Sequence, residues 1–131
     1  MEIVRAFDTS VAKKTQVFGG GKGSEKGNPV GLQGNKAVTL TEKNQGFLGF
    51  VELGLDDGRC LVVIRGACQL KIKDSHLAKT GDPIFCNGEN SFNLSGGVLI
   101  GILKHHQPDF PGFGIVCFKR FDDKELFDLR K

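Results

Sequence analysis

Short apolar runs separated by glycine- and asparagine-rich turns make up most of the chain, and helical periodicity is nearly absent. Phe47–Leu53 and Val98–Leu103 are almost continuously apolar, each with a central glycine, which predicts strands covered on both faces. From Cys68 to Lys73 apolar and polar residues alternate, which predicts a strand with one face in water. Turn signals such as Asp57-Gly58 separate these runs. The pattern predicts seven to nine short strands in an all-β fold, as a compact small barrel or sandwich.

One stretch of the sequence is repeated. Gly27–Leu40 recurs as Gly81–Leu94, an offset of 54 residues, with glycine, proline, glycine and leucine at matching positions. Each copy predicts a turn, a short strand, a tight reversal and a second strand. The domain is therefore expected to contain two similar strand-turn-strand units in a pseudo-two-fold arrangement.

The two ends of the chain differ from this middle. Residues 1–26 are predicted to be a flexible N-terminal arm, because the glycine run Gly19–Gly23 disfavours any regular element. Within the arm, Ile3–Phe7 fits either a short strand or an extended segment. Residues 27–121 are predicted to form the β-barrel domain, and residues 122–131 a short tail. The tail fits either a helical turn or two capped by Asp122 or Asp123, or a frayed end.

Composition and charge narrow the class of protein. The length of 131 residues fits one domain, and a net charge of +3 is too small to argue for nucleic-acid binding. No apolar run reaches the length of a membrane span, and the N-terminus lacks a signal-peptide pattern, so a reducing cytoplasm is expected. The four cysteines are expected to be reduced and packed as small hydrophobic residues, with zinc binding or disulfides as alternatives.

Several groups contain the residue types of an active site or a metal site, but not at the spacing that such a site requires. Lys22 follows a glycine run but precedes Gly23, whereas a phosphate loop needs Ser or Thr there. Asp56-Asp57 and Asp74-Ser75-His76 are consecutive residues in predicted turns, so their side chains do not converge. Lys104-His105-His106 is the best metal candidate, but a third ligand is not recognisable and a polar loop rim is preferred. We therefore expect no catalysis, no cofactor and no metal.

The order of the glycines and apolar strands resembles one known family. That order runs through Gly27–Val30, the strand around Gly49, Arg59–Gly66, Gly81–Phe85, Val98–Gly101 and Gly114–Val116. It is similar to the head decoration, or cement, proteins of tailed bacteriophages, of the lambda-like β-tulip type. The resemblance implies a structural virion protein, made in the host bacterial cytoplasm and placed on the capsid exterior. It also implies binding to the major capsid protein and self-association, with a trimer favoured and a dimer possible.

Under this hypothesis the two ends of the chain supply the capsid contacts. The candidate contact residues are Arg5, Phe7, Lys13, Lys14, Phe18, Lys22, Lys26, Phe127 and Leu129. Deletion of residues 1–26 is expected to weaken capsid binding while leaving the barrel folded. The alternatives are a tail or baseplate β module, a nucleic-acid-binding barrel that uses Phe118–Phe121, and a small barrel enzyme that uses His76, His105 or a cysteine.

Overall fold

Nine strands and one short 3-10 helix form the structure, a computed structural model that describes residues 5–88, 90–107 and 112–125. The strands are β1 (Lys14–Gly20), β2 (Pro29–Gln33), β3 (Lys36–Thr39), β4 (Phe47–Gly54), β5 (Arg59–Lys71), β6 (Pro83–Cys86), β7 (Phe92–Asn93), β8 (Val98–His106) and β9 (Phe113–Lys119). The 3-10 helix is Ser75–Leu77. The prediction of an all-β fold is confirmed.

All nine strands belong to one sheet, in the order β1-β3-β2-β4-β5-β9-β8-β6-β7. An additional antiparallel pairing of β1 with β5 closes the first five strands of that order into a ring. β1 runs parallel to β3, and every other pair of neighbouring strands is antiparallel. Closure of the ring leaves these five strands without a free edge, which makes the first half of the chain a small barrel.

The second half repeats this plan, and the long strand β5 serves both halves. Residues 59–65 of β5 pair with β1, whereas residues 65–71 pair with β9. Equivalent residues lie 52 to 54 positions apart, so that β1 corresponds to the second half of β5 and β9 to its first half. The parallel β1–β3 contact has its counterpart in an isolated parallel bridge between Ile72 and Phe92. We call residues 14–65 unit 1 and residues 66–119 unit 2.

The duplicated turns make the same backbone hydrogen bonds in both units. The amide of Gly27 donates to the carbonyl of Val51 (2.8 Å), and the amide of Gly81 donates to the carbonyl of Leu103 (2.7 Å). The amides of Val51 and Leu103 return bonds of 3.0 and 2.8 Å to the residue after each glycine. The proline that follows then starts β2 or β6, where its missing N–H costs little. The predicted pair of similar units is confirmed at this level of detail.

The glycines in the middle of β4 and β8 also have equivalent roles. A Cβ on Gly49 would lie 2.0 Å from the carbonyl oxygen of Val63 in β5. A Cβ on Gly101 would lie 1.9 Å from the carbonyl oxygen of Cys117 in β9. Both strands need glycine because the neighbouring backbone approaches too closely for any side chain.

Each unit has its own apolar core. The core of unit 1 contains Phe18, Val30, Leu32, Ala37, Leu48, Val51, Cys60 and Val62. The second core fills unit 2 and extends to the outer side of β4, where Phe47 and Phe50 pack on Phe118. The Phe50 and Phe118 rings meet edge to face, with centroids 4.8 Å apart. Phe47 and Phe50 therefore join the two units into one packed body.

The prediction of a free arm is wrong for residues 14–20, because they form β1 and close the barrel of unit 1. The glycines that suggested flexibility are needed for close packing. A Cβ on Gly20 would lie 2.6 Å from the carbonyl oxygen of Gly58, and one on Gly21 would lie 2.6 Å from the side chain of Val38. Deletion of residues 1–26 would remove β1, so the expectation that it leaves the barrel folded is withdrawn.

Three further predictions are refined. The strand predicted from Cys68 to Lys73 is the second half of β5, which ends at Lys71. His105 and His106 are the last residues of β8 and do not form the predicted loop rim. Residues 122–125 contain a turn and a bend without a helix, and the rest of the predicted tail lies outside the described residues.

Candidate functional site

The N-terminal segment, residues 5–13, lies across both units, and Arg5 contacts both of them. The Arg5 guanidinium lies 5.1 Å from the ring centroid of Phe50 and 5.4 Å from that of Phe92. Its Nε donates to the carbonyl of Gly27 (2.8 Å), and Nη2 donates to Oδ1 of Asn90. Burial lowers the pKa of Arg5 from its usual value, although arginine remains charged at any physiological pH. Arg5 therefore connects unit 1 to unit 2 through a cation that lies against one aromatic ring of each unit.

The side chains of Phe7 and Phe18 also pack against other parts of the protein. Phe7 forms an isolated antiparallel bridge with Cys68, and its ring lies 6.3 Å from the Phe118 ring. Phe18 is buried in the core of unit 1. Arg5, Phe7 and Phe18 thus hold the fold together, which sequence reasoning from the apolar N-terminal pattern did not anticipate.

The four lysines among the contact candidates are exposed: Lys13, Lys14, Lys22 and Lys26. Lys13 donates to Oε1 of Glu52 at 2.8 Å, and both side chains remain partly in solvent. Lys14 begins β1, and the other two follow it on the way to β2. These four lysines remain the candidates for contact with a partner. Phe127 and Leu129 lie outside the described residues.

Sequence reasoning missed an apolar surface on unit 2. Phe85 of β6 and Leu99 of β8 are paired residues, and so are Pro83 and Ile102. Directly opposed residues on neighbouring strands point to the same side of the sheet. Leu99 is 56% exposed, Pro83 is exposed, and Phe85 and Ile102 are half-buried. The signal that would reveal this surface is the run Val98–Leu103, which has too few polar residues for a strand that faces water. We call these four residues the β6–β8 outer face.

The cysteine thiols are free and buried at Cys60, Cys68, Cys86 and Cys117. Burial raises the pKa of Cys68 to about 12 and that of Cys86 to about 11. A thiol with such a pKa is almost entirely protonated at neutral pH and is a poor nucleophile or metal ligand. The prediction that the cysteines pack as small hydrophobic residues is confirmed.

The histidines, the other candidate metal ligands, are not grouped with these thiols into a metal site in the described residues. His106 contacts the carbonyl of Ala78 through Nε2, and its neighbour His105 is exposed. Across residues 5–88, 90–107 and 112–125, no three His, Cys, Asp or Glu side chains are grouped as a metal site would require.

A groove of about 460 Å³ runs between the units, lined by residues 40–43, 86–88, 97 and 98. Cys86 is the cysteine of this lining, and its thiol donates to the carbonyl of Gly88 at 3.2 Å. Burial raises the pKa of this thiol to about 11, so little of the thiolate that nucleophilic chemistry requires is present at neutral pH. The geometry favours packing between units over nucleophilic chemistry.

The aromatic and basic run Phe118–Phe121, which the sequence offered as a nucleic-acid-binding surface, does not expose both of its rings. Phe118 is fully buried between the units, whereas Phe121 is 46% exposed. Stacking of nucleic-acid bases requires exposed rings in series, and residues 118–121 offer one, Phe121, which follows the end of β9.

Comparison of the sequence with protein-family models and with curated proteins found no match. Within the described part of the chain, no helix is long and apolar enough to cross a membrane.

Proposed function

We propose that the protein is a structural virion protein that binds the outer surface of a phage capsid, bridges major capsid proteins and stabilises the expanded shell. The observation that supports this proposal most is where the residues that carry the family resemblance lie in the fold. The Gly27 and Gly81 turns, Gly49 and Gly101 are the residues that build the frame of the two fused units. The residues that carry the resemblance therefore have structural roles in this fold.

The packing also suits a protein that works by adhesion. The strand β5 belongs to both units, and Phe47, Phe50 and Phe118 bury the contact between them. A rigid body of this kind loses little conformational entropy on binding, so more of its contact energy stabilises the partner. Binding to the expanded shell alone would stabilise that shell by linkage.

The exposed lysines at 13, 14, 22 and 26 are the surface we assign to the capsid contact. Lys13 immediately precedes β1, Lys14 begins it, and Lys22 and Lys26 lie on the segment that connects it to β2; the pairing of β1 with β5 holds this region in place. Because the region is ordered, point substitutions test the contact better than deletion does.

The test is co-sedimentation of the full chain with expanded, undecorated heads made from the major capsid protein that the same phage encodes. The proposal predicts saturable binding with a fixed copy number per capsid subunit, and weaker binding to unexpanded heads. A variant with all four lysines changed to glutamate should bind less. The matched control changes Lys36, Lys43, Lys71 and Lys73, which are equally exposed, by the same total charge.

Absence of wild-type binding to expanded heads would overturn the proposed function. Equal loss in both quadruple variants would keep the function but reject the assigned lysine surface, because it would show an effect of net charge alone.

A further inference from the structure

The N-terminal segment adds a short antiparallel strand to the second half of β5, in unit 2. The amide of Asp8 donates to the carbonyl of Ala67 (2.8 Å), and the amide of Gln69 donates to the carbonyl of Ala6 (2.9 Å). Residues 6–8 therefore cover the edge of β5 that precedes its parallel bridge to β7.

The equivalent edge of unit 1 belongs to β1. At an offset of 52 residues, Thr15 and Val17 occupy the positions of Ala67 and Gln69. Residues 14–17 of β1 are exposed, whereas Ala67 is 1% exposed. The same edge is thus covered in unit 2 and open in unit 1.

The alternation along β1 shows which backbone groups face the open edge. The amide of Gly19 donates to the carbonyl of Asn35 at 3.3 Å, on the side of β3. Because the hydrogen-bonding groups of successive strand residues point to opposite sides, the N–H and C=O groups of Thr15 and Val17 also lie on that side, away from β5. Within the described residues, no other strand pairs with them there. An unpaired edge of this kind is a template for another extended chain.

A groove of about 460 Å³ adjoins this edge and is lined by residues 16–19, 32, 34, 35, 59 and 120. Residues 34 and 35 form the turn between β2 and β3. In unit 2 the corresponding turn, between β6 and β7, contacts the N-terminal segment, because Arg5 donates to Oδ1 of Asn90. The groove therefore lies where unit 2 holds its added strand.

The surroundings of the open edge are positively charged. Lys14 begins β1, and Lys36 lies opposite Gly19 in the β1–β3 pairing. Neither lysine forms an ion pair with the described part of the chain. The two arginines of the groove, Arg59 and Arg120, each pair with a carboxylate two residues away in the sequence. Lysine at a strand edge disfavours a basic partner strand and favours an acidic one.

We propose that the open edge of β1 binds an extended, acidic segment of another protein by strand addition. The backbone of that segment donates to the carbonyl of Thr15 and accepts from the amide of Val17, as residues 6–8 do at Ala67 and Gln69. Its carboxylates compensate the positive charge around the edge. The proposal does not rest on capsid binding, because a free peptide tests it.

Fluorescence anisotropy at low ionic strength measures binding of the full chain to a labelled peptide of about eight residues that alternates valine and glutamate. A second peptide has lysine in place of glutamate. A third keeps the side chains of the first but is N-methylated at every backbone amide, so that it cannot donate to the edge. Wild type should bind the first peptide saturably and the other two at least about 10-fold more weakly.

Val17→Pro removes the amide that the edge donates, and it leaves the pairing with β5 intact because this amide points away from β5. It should bind the acidic peptide about 10-fold more weakly than wild type. Val17→Ala keeps the amide and is the matched control, expected to bind as wild type does. In wild type, the peptide should also slow hydrogen exchange of the Val17 amide.

Absence of binding of the acidic peptide to wild type would overturn the proposal. So would equal binding of the N-methylated peptide, or equal binding by Val17→Pro and Val17→Ala, because charge alone would then account for the contact. Thermal melting checks that both variants are folded. Should Val17→Pro fail to fold, hydrogen exchange in wild type decides: a slower Val17 amide supports strand addition, and an unchanged one overturns it.

Discussion

Glu52 and Lys104 occupy the same position in the two units, at the β-bulges of β4 and β8, and both pair with the N-terminal segment. Lys13 donates to Glu52 at 2.8 Å, and Lys104 donates to Asp8 at 2.8 Å. The equivalent positions carry opposite charges, and so do their partners. Residues 5–13 are thereby attached to unit 1 at one end and to unit 2 near the other. The pairs fix the direction in which this segment crosses the two units.

The close backbone contacts at Gly49 and Gly101 predict that alanine is poorly tolerated at either site. Gly49→Ala and Gly101→Ala should each lower the free energy of unfolding by about 3 kcal/mol, because the added Cβ would meet a carbonyl oxygen of the next strand. Urea unfolding measures the effect. Gly54→Ala in the same strand β4 is the control, since its Cβ would meet no atom within 4 Å. Equal stability of all three variants would refute the assigned role of these glycines.

Loss of the Arg5 side-chain charge should loosen the contact between the units. Arg5→Met keeps much of the aliphatic stem but removes the hydrogen bond to Gly27 and the contacts with the rings of Phe50 and Phe92. We expect a loss of about 2 kcal/mol in unfolding free energy. Lys14→Met, at an exposed position, should have little effect. Indistinguishable unfolding midpoints for the two variants would contradict the connecting role of Arg5.

The pairing of Asp8 with Lys104 predicts an acid dependence of stability. The hydrogen bond from Lys104 lowers the pKa of Asp8 to about 2, below its usual value near 4. The folded state therefore binds the proton less readily than the unfolded state. The stabilisation is present above about pH 4 and disappears as the pH falls through about 2.

Urea midpoints of wild type and Asp8→Asn at about pH 5 and about pH 2 measure this effect. Wild type should be the more stable at the higher pH, and the difference should shrink at the lower pH. Asp56→Asn, in the exposed turn between β4 and β5, serves as the control for removing a carboxylate. A difference that stays constant between the two pH values would show that Asp8 does not act through its charge.

The buried thiols should react slowly in the native protein. Burial raises the pKa of Cys60, Cys68 and Cys86, which lowers the thiolate fraction, and the protein around them blocks the reagent. Titration with a thiol reagent at neutral pH should label native protein slowly and all four cysteines in denaturant. Leu77→Cys adds an exposed thiol as the positive control and should react at once. Rapid labelling of any native cysteine would contradict the burial.

Sequence reasoning found the duplicated turns because glycine and proline are required there by backbone geometry. It missed the start of the repeat, since β1 and its counterpart in β5 share a sheet position but few residue types, as with Phe18 and Leu70. The glycine run Gly19–Gly21 suggested flexibility, whereas it permits close packing against Gly58 and Val38. Composition cannot distinguish a flexible glycine from a closely packed one. The difference depends on whether a segment distant in the sequence packs against the glycine Cα.

The candidate contact residues show the same limit of local patterns. Arg5 follows apolar residues in the sequence, and no local signal places its guanidinium against two rings of different units. The exposure of Leu99 is equally non-local, since its counterpart Phe47 is buried by unit 2. Both features arise from how the second unit docks on the first.

The heat stability of expanded heads, measured with and without saturating amounts of the purified chain, tests the proposed function most directly. The account predicts that bound protein raises the temperature at which the shell breaks open, and that the rise follows occupancy. Shells that bind the protein and break at an unchanged temperature would contradict the account, as would shells that do not bind it.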